Sequence, residues 1–465
     1  MKHILLSGFL LASTWACATH NKGGEISYKH LSGRTYEVEV VTFTHTLSQA
    51  DRDSLYIEVA EDTSLNKWAK RINGPDTDPA NGIPDGESIG CSQTKKNIYL
   101  FQCTFPHDGT YHISMVDPNR NAGIVNIPVS VDVPFCIDAE IHVNSSQPNS
   151  SPRFLSDPIY FAELNIPCTL NATAFDDEGD SLVFALDTCL ELFGSPVSGY
   201  TIPAGVSQNP INGEFVWNLP TLKGEYAFRV KISEWRDGVF LGYTSRDFNV
   251  NVQESYFSDF VFDSLATWPK NSNGDYEIHV APNNPVQLPI SYENKSVWVP
   301  DILGIGDVFS MPNAAQLNLT TTTTSVSGLF TWTPGTNDFR SQPYVVTFRG
   351  ASVYSNNSQC LYHDLTLMIY VDIPAGINDA GTSDNTMQLF PNPFSYHTTL
   401  KLNERLVALK PVLYVRDALG RIVHRQEIHS TETVIAPKGV GPGIYYYAIT
   451  TADPNVQKTG KVVIQ

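Results

Sequence analysis

Apolar and polar residues alternate with a period of two along most of the chain. The clearest runs are residues 36–40, 226–232 and 365–371. Such an alternation places every second side chain on one face of a β-strand, so each run predicts a strand with one buried face. Gly, Pro, Asn-Gly and Asp-Gly mark turns between the runs, and no stretch keeps a helical period. The pattern predicts an all-β protein built from short strands.

A motif recurs within this pattern. Phe215 and Trp217 are matched 115 residues later by Phe330 and Trp332, and an alternating strand follows each copy. A repeat of this size with a Trp on an inner strand is typical of tandem immunoglobulin-like β-sandwiches. We therefore expect both Trp side chains to lie in cores.

The repeat and the turn-rich segments predict the domain organisation. A length of 465 residues corresponds to about three domains at ~150 residues each, with short segments beside them. The predicted parts are a signal peptide (1–18), an Ig-like sandwich (19–135), an Ig-like or cadherin-like sandwich (136–253), an Ig-like sandwich (254–373), a linker (374–386) and a small C-terminal β-sandwich (387–465).

Charge separates the last of these parts from the rest. The whole chain has 30 Lys and Arg against 48 Asp and Glu, a net charge of −18. Residues 389–465 carry 9 basic and 5 acidic side chains, a net of +4, which leaves −22 for the remainder. The change of sign favours a separate C-terminal module. The acidic remainder argues against a nucleic-acid partner, because a phosphate backbone needs a basic surface.

The N-terminus has the pattern of an export signal. Lys2 precedes an apolar run at residues 4–11, and small residues end the segment at Ala18. This predicts cleavage by signal peptidase and a mature start at Thr19. Lipidation of Cys17 is the alternative.

Six further cysteines remain after this cleavage. An even number in an exported chain favours disulfides, and the absence of a C-x-x-C pair gives little support to zinc or redox chemistry. Spacing suggests two local pairs, Cys91 with Cys103 and Cys168 with Cys189.

Two acidic segments predict calcium binding, the one cofactor that the sequence suggests. Carboxylate and amide oxygens around a Gly turn are the donors that Ca²⁺ prefers. The first set is Asp76, Asp78, Asn81, Asp85 and Glu87, for which a solvated acidic loop is the alternative. The second is Asp176, Glu178 and Asp180, which resembles the acidic motif of cadherin-like repeats; the alternative is a strand-to-strand turn.

Several stretches resemble a known group of proteins. Residues 19–28, 117–128, 174–182 and 234–238 are similar to exported Ig-like proteins of gliding Bacteroidetes, of the gliding-motility-associated type. The resemblance covers most of residues 19–253.

The C-terminal part resembles the type A sorting domain of the type IX secretion system. The resemblance rests on a Pro-Asn-Pro-Phe segment and on Gly-rich strand ends; the residues that carry it are Pro391, Asn392, Pro393, Gly420, Gly443, Tyr445, Gly460 and Lys461. It implies transit through the periplasm, recognition by the type IX machinery and its sortase, and attachment to outer-membrane lipopolysaccharide or release.

These observations predict an exported, non-catalytic protein of the cell surface or medium, an adhesin or a surface structural component with a surface or glycan ligand. The sequence contains no H-E-x-x-H, G-x-S-x-G or Walker motif. The alternatives are a secreted polysaccharide-active hydrolase or its carbohydrate-binding accessory, and a stalk that only spaces other parts.

Overall fold

The computed structural model describes most of the chain. The described residues are 21–46, 48, 52–77, 80–90, 93–158, 160–236, 238–254, 261–263, 265–293, 299–340, 342–353, 360–372, 387–417, 420–451 and 457–464. They form two compact units, residues 1–373 and residues 374–465. The predicted signal peptide, Cys91, Asp78 and the linker at 374–386 lie outside the described residues.

The first module of unit 1 encloses one core between two half-sheets. Its strands are β1 (Asn21–Ser32), β2 (Thr35–His45), β3 (Ser54–Val59), β4 (Lys67–Lys70), β5 (Glu87–Ile89), β6 (Thr94–Thr104), β7 (Gly109–Asp117) and β8 (Phe135–Val143), with 3-10 turns at Thr63–Leu65 and Ser130–Asp132. The half-sheet β4-β3-β7-β8 faces β1-β2-β6-β5, and both contribute to the same apolar cluster.

The boundary predicted between residues 135 and 136 differs from the structure. β8 begins at Phe135 and pairs along its whole length with β7, and its inward side chains belong to the first core. The reason is that β7 and β8 form an antiparallel pair joined by a long connection, residues 118–134, so the strand that completes this sheet comes late in the sequence. The first module therefore extends to Val143.

The second module repeats the sandwich arrangement. Its strands are β9 (Arg153–Phe154), β10 (Tyr160–Glu163), β11 (Cys168–Asn171), β12 (Ala174–Phe175), β13 (Ser181–Asp187), β14 (Val206–Gln208), β15 (Glu214–Trp217), β16 (Gly224–Arg236) and β17 (Val239–Gln253), with a 3-10 turn at Leu192–Gly194. The sheet β11-β15-β14 packs on β10-β17-β16-β13 around the second core.

The third module has the same topology. Its strands are β18 (Val261–Asp263), β19 (Tyr276–Val280), β20 (Val286–Glu293), β21 (Val299–Ile305), β22 (Gln316–Thr321), β23 (Ser325–Trp332), β24 (Tyr344–Val353) and β25 (Cys360–Val371), with 3-10 turns at Leu265–Thr267 and Asp307–Phe309. The order β20-β23-β22 matches β11-β15-β14, and the parallel pair β19–β25 matches β10–β17.

The repeated Trp residues occupy equivalent core positions in these two modules. Trp217 and Trp332 are each 2 % exposed. Their ring centroids lie 4.8 Å from Tyr226 and 4.8 Å from Tyr344, which are the first apolar residues of the following strand. This confirms that both Trp side chains are core residues and that the sequence repeat is a structural repeat.

Strand β17 joins the first two modules. One edge of β17 pairs with β16, and the other pairs in turn with β8 through Gly242–Thr244, with β1 through Arg246–Phe248, and with β10. A single strand thus completes the sheets of both modules. Because the two modules share backbone hydrogen bonds, we expect them to behave as one body.

Unit 2 is a small β-sandwich. Its elements are β26 (Met387–Phe390), β27 (Thr398–Leu402), helix α1 (Glu404–Ala408), β28 (Val412–Arg416), β29 (Ile422–Glu427), β30 (Glu432–Ile435), β31 (Gly443–Thr450) and β32 (Gln457–Ile464). The sheets β26-β27-β30 and β29-β28-β31-β32 enclose a core of Leu, Ile, Val and Phe394. Among the residues that the structure describes, none of the helices has the length and apolar character that crossing a bilayer requires.

Candidate functional site

The second acidic segment contributes to a buried carboxylate cluster. Asp176 and Asp180 lie in the turn between β12 and β13, and Glu234 comes from the adjacent strand β16. One oxygen from each of the three carboxylates lies within 4.8 Å of the others, and all three side chains are buried. Nowhere else in the described ranges does a group of three or more His, Cys, Asp or Glu meet this spacing.

Hydrogen bonds hold the cluster from one side. The backbone N–H of Asp180 donates to Asp176 Oδ1 (2.7 Å), and Arg236 donates to both oxygens of Asp180, with 2.8 Å from its Nε to Oδ1. Asn149 Nδ2 donates to Glu234 Oε2 (2.7 Å). The remaining oxygens, Asp176 Oδ2 and Glu234 Oε1, are buried and have no N–H or hydroxyl donor among the described residues. A protonated Glu234 carboxyl can hydrogen-bond to Asp176.

Burial raises the pKa of two carboxyls in this cluster. The pKa of Glu234 is raised well above its usual range by burial and by the neighbouring Asp176 carboxylate. Burial likewise raises the pKa of Asp176. Two carboxylates cannot face each other in a dry site without a proton or a cation between them. The arrangement can therefore hold a proton or a metal ion.

Glu178, a predicted member of this set, takes a different position. Its Oε1 accepts hydrogen bonds from the N–H (3.2 Å) and the hydroxyl (2.9 Å) of Ser150, and it is not part of the cluster. The structure replaces it with Glu234, which the sequence analysis did not assign. A signal was available: residues 230, 232 and 234 share the inward face of β16, where Glu234 follows Val230 and Ile232. An acid at an inward position needs a partner.

In the first acidic segment, side-chain oxygens of two predicted ligands accept hydrogen bonds from within the same loop. Asp85 accepts from the N–H of Thr77 (2.7 Å) and from its hydroxyl, which holds the pKa of Asp85 below its usual range. The side-chain oxygen of Asn81 accepts from the N–H of Ile83 (2.9 Å). Asp78 lies outside the described residues, and the other members are the exposed Asp76 and Glu87. Calcium binding by this loop stays a prediction.

The structure does not form the predicted Cys168–Cys189 disulfide. Both thiols are free and buried, and they lie in different apolar clusters, Cys168 in the second core and Cys189 beside Ile124 and Val197. The segment between them is not a hairpin: β11 pairs with β15, whereas β13 pairs with β16 in the other sheet. Cys103 is also free and buried, and its predicted partner Cys91 lies outside the described residues.

In unit 2 the structure gathers several predicted sorting residues at the last strand. The segment Pro391-Asn392-Pro393 follows β26, and both of its X-Pro bonds are cis. Asn392 Nδ2 donates to the carbonyl of Lys461 (3.0 Å), and the N–H of Val463 donates to Asn392 Oδ1 (2.8 Å). The Asn392 side chain thus acts like a strand residue against β32. Phe394 extends the contact through a parallel bridge to Ile464.

The predicted glycines have separate roles. At Gly460, a Cβ atom would lie 2.5 Å from the hydroxyl oxygen of Tyr447 on β31. Only glycine therefore leaves room for the Tyr447 ring to pack against β32. Gly443 pairs with Ile464, and the hydroxyl of Tyr445 donates to the carbonyl of Gly441 (2.9 Å). Gly420 lies away from the others, in the turn between β28 and β29, with a φ of +76° that favours glycine.

We expect Asn392→Ala to destabilise unit 2 by about 1–2 kcal/mol, because two hydrogen bonds that hold the segment to β32 are lost. Asn392→Asp keeps the acceptor for Val463 but loses the donor to Lys461. Thermal unfolding of the full chain tests this. Equal unfolding temperatures for the alanine variant and the unmodified protein would contradict it.

Residues 388–465 match the family described as secretion system C-terminal sorting domain. The match agrees with the position of unit 2 and indicates an exported protein of the cell surface or medium. No curated protein sequence matches the chain.

Structures of tandem Ig domains are similar to the chain. The N-terminal four Ig domains of Dscam1 isoform 6.44 share 11 % identity, with 95 % of this chain and 99 % of that chain covered and a TM-score of 0.20. Titin domains A168–A170 share 10 % identity, covering 67 % of this chain and 98 % of that chain with a TM-score of 0.18. Strand pairing and the enclosed cores define the β-sandwich modules of this chain.

Proposed function

We propose that this chain is a non-catalytic adhesin or structural component of the cell surface, delivered by the type IX secretion system through residues 387–465. The single observation that carries the proposal is the sorting-domain match over a compact, separate C-terminal unit. On this proposal, a signal peptide takes the chain to the periplasm and the type IX machinery recognises unit 2. A sortase then removes unit 2 and either links the remainder to lipopolysaccharide or releases it.

The surface around the Pro-Asn-Pro segment supports recognition at this end of unit 2. Phe390 and Tyr396 flank the segment and are 70 % and 87 % exposed. Large aromatic side chains at such exposure are favoured contact residues in protein interfaces. The hydrogen bonds of Asn392 fix the backbone of this segment against β32, so the two exposed rings flank a backbone that is held in place.

The build of unit 1 supports a structural or adhesive role. The second and third modules meet through buried polar contacts. Arg349 and Asp364 pair on the third module, and Asp364 accepts from the N–H of Asn171 on the second (2.7 Å). The hydroxyls of Thr173 and Thr347 lie 2.6 Å apart across the same junction. Directional contacts of this kind hold modules in one orientation, which suits a protein that presents a ligand-binding surface away from the cell.

We expect deletion of residues 387–465 to abolish export across the outer membrane. The chain and a truncation ending at Thr386 would be expressed in a type IX-competent host, and intact masses measured for the surface, medium and periplasm. The full chain is expected outside the cell without its tail, and the truncation in the periplasm.

Two controls sharpen this experiment. A host that lacks the type IX machinery is expected to retain both forms. The variant Phe390→Ala/Tyr396→Ala keeps the core of unit 2 and tests recognition separately from folding. Equal export of the truncation and the full chain would overturn the sorting role.

A carbohydrate-binding accessory is the second candidate, because one aromatic pair is exposed on the first module. Tyr56 and Trp68 are neighbours on β3 and β4, with ring centroids 5.3 Å apart and exposures of 39 % and 69 %. Exposed aromatic faces on a sheet suit stacking against sugar rings. Polysaccharide binding that Trp68→Ala removes would favour this class over an adhesin, whereas turnover of the polysaccharide would indicate a hydrolase.

A further inference from the structure

The buried cluster at the β12–β13 turn has the features of a cation site. We propose that Asp176, Asp180 and Glu234 form a divalent-cation site that takes Ca²⁺. The three carboxylates come from two elements that are far apart in sequence, and their closest oxygens lie within 4.8 Å of one another. All donors are oxygens, which hard cations prefer, whereas zinc and copper sites use His and Cys.

Two oxygens in the cluster have no N–H or hydroxyl donor among the described residues. Glu234 is 0 % exposed and Asp176 is 3 % exposed, and no N–H or hydroxyl group of the described residues donates to Glu234 Oε1 or Asp176 Oδ2. The two carboxyl groups lie within hydrogen-bond reach of each other, so a proton or a cation must sit between them. The opposite oxygens, Glu234 Oε2 and Asp176 Oδ1, are each held by an N–H donor. The side chains are thus fixed, and their second oxygens depend on a shared proton or on a cation.

The charge balance fits a divalent ion. When all three carboxyl groups are ionised they carry three negative charges, and Arg236 supplies one positive charge by donating to both oxygens of Asp180. Two negative charges remain, those of Asp176 and Glu234. A divalent cation neutralises them, whereas a second basic side chain would neutralise only one.

A cleft lies next to the cluster. Asp176, Gly179 and Asp180 line it together with Arg340 and Gln342 of the third module. Gln342 Nε2 donates to Ser181 Oγ (3.2 Å), next to the cluster in sequence. A cation held here ties the β12–β13 turn to β16 beside the module junction, so we expect it to stabilise unit 1.

The donor set differs from the set that the acidic motif alone suggests. The motif alone would make Glu178 the third ligand. In the structure, Glu178 accepts a hydrogen bond from the hydroxyl of Ser150, and Glu234 is the third carboxylate of the cluster. Two single substitutions, Glu178→Gln and Glu234→Gln, distinguish the two donor sets. The motif set predicts that Glu178→Gln loses calcium binding, whereas the set in the structure predicts that Glu234→Gln loses it.

The test is thermal unfolding of the mature chain in EDTA and in about 10 mM CaCl₂, well above the Kd typical of extracellular calcium modules. We expect calcium to raise the unfolding temperature by about 5 °C. Glu234→Gln should lose this response. Its cation-free form should unfold at about the same temperature as the unmodified protein in EDTA, because the amide NH₂ donates to Asp176 Oδ2 in place of the protonated Glu234 carboxyl. That agreement also shows that the variant folds.

Glu178→Gln is the matched control and should keep the full calcium response. Equilibrium dialysis with CaCl₂ adds a direct readout: Glu234→Gln should bind one ion fewer than the unmodified protein. An equal calcium response in the unmodified protein and Glu234→Gln would overturn the proposal and assign any bound ion elsewhere. No response in the unmodified protein would overturn it as well, leaving a carboxyl pair that shares a proton.

Discussion

Asp364→Ala is expected to lower the free energy of unfolding of unit 1 by about 3–5 kcal/mol, because it leaves a buried guanidinium without its counter-ion. Arg349 donates from Nε and from Nη2 to the two oxygens of Asp364, both at 2.8 Å, and the two side chains are 6 % and 0 % exposed. Asp364 also accepts from the N–H of Asn171, which would lose its acceptor as well. Chemical denaturation of the mature chain measures the change.

The matched control is Asp301→Ala. Asp301 lies in the same module on β21 and is exposed, so its loss should change stability by less than about 0.5 kcal/mol. The double variant Arg349→Met/Asp364→Ala should cost less than the sum of the two single changes, since it removes the stranded charge as well. A loss under 1 kcal/mol for Asp364→Ala would show that the junction between the second and third modules tolerates an unpaired arginine.

A loss of similar size, about 3–5 kcal/mol, is expected for Arg120→Ala at the junction of the first two modules. Arg120 follows β7, and its guanidinium donates to Asp247 on β17 from Nη1 (3.0 Å) and Nη2 (2.7 Å). Both side chains are 1 % exposed. Arg120 Nη2 also donates to the carbonyl of Leu190 (3.0 Å). The substitution leaves the Asp247 carboxylate buried beside the free thiol of Cys189, with no cation to balance it.

Arg153→Ala makes the same change of charge at an exposed pair. Arg153 contacts Asp177 at 3.3 Å, and the side chains are 53 % and 49 % exposed, so this pair should contribute less than about 1 kcal/mol. The comparison separates the effect of burial from that of net charge. Equal losses for Arg120→Ala and Arg153→Ala, measured by denaturation of the mature chain, would contradict the assignment of Arg120 as a buried tie between modules.

The elements that follow from local pattern were predictable. Residues 36–40, 226–232 and 365–371 lie within β2, β16 and β25, because a period of two reports directly which face of a strand is buried. The Trp repeat predicted two related cores, since a large inward aromatic side chain sets the packing around it. The sorting tail was predictable because its motif residues lie in short contiguous segments, which can be recognised without knowing the tertiary structure.

Pairings over long sequence distances were not predictable in the same way. A strand pattern does not show which neighbouring strand pairs with each edge. The sequence therefore predicted β17 as the last strand of the second module alone, whereas β17 pairs with strands of both the first and the second module. The same limit produced the Cys168–Cys189 pairing, because sequence proximity does not show that β11 and β13 lie in different sheets.

The sequence by itself determined the all-β class, the repeated sandwich and the sorting tail of this protein, because each depends on periodicity or on a contiguous motif. Only the tertiary structure decided which charges meet. Glu234 joins Asp176 and Asp180, and Arg349 and Asp364 close a junction with Asn171, because antiparallel pairing and module packing bring residues together across 54 to 193 positions of chain. The energy of a buried charge depends on such neighbours, and a linear pattern does not record them.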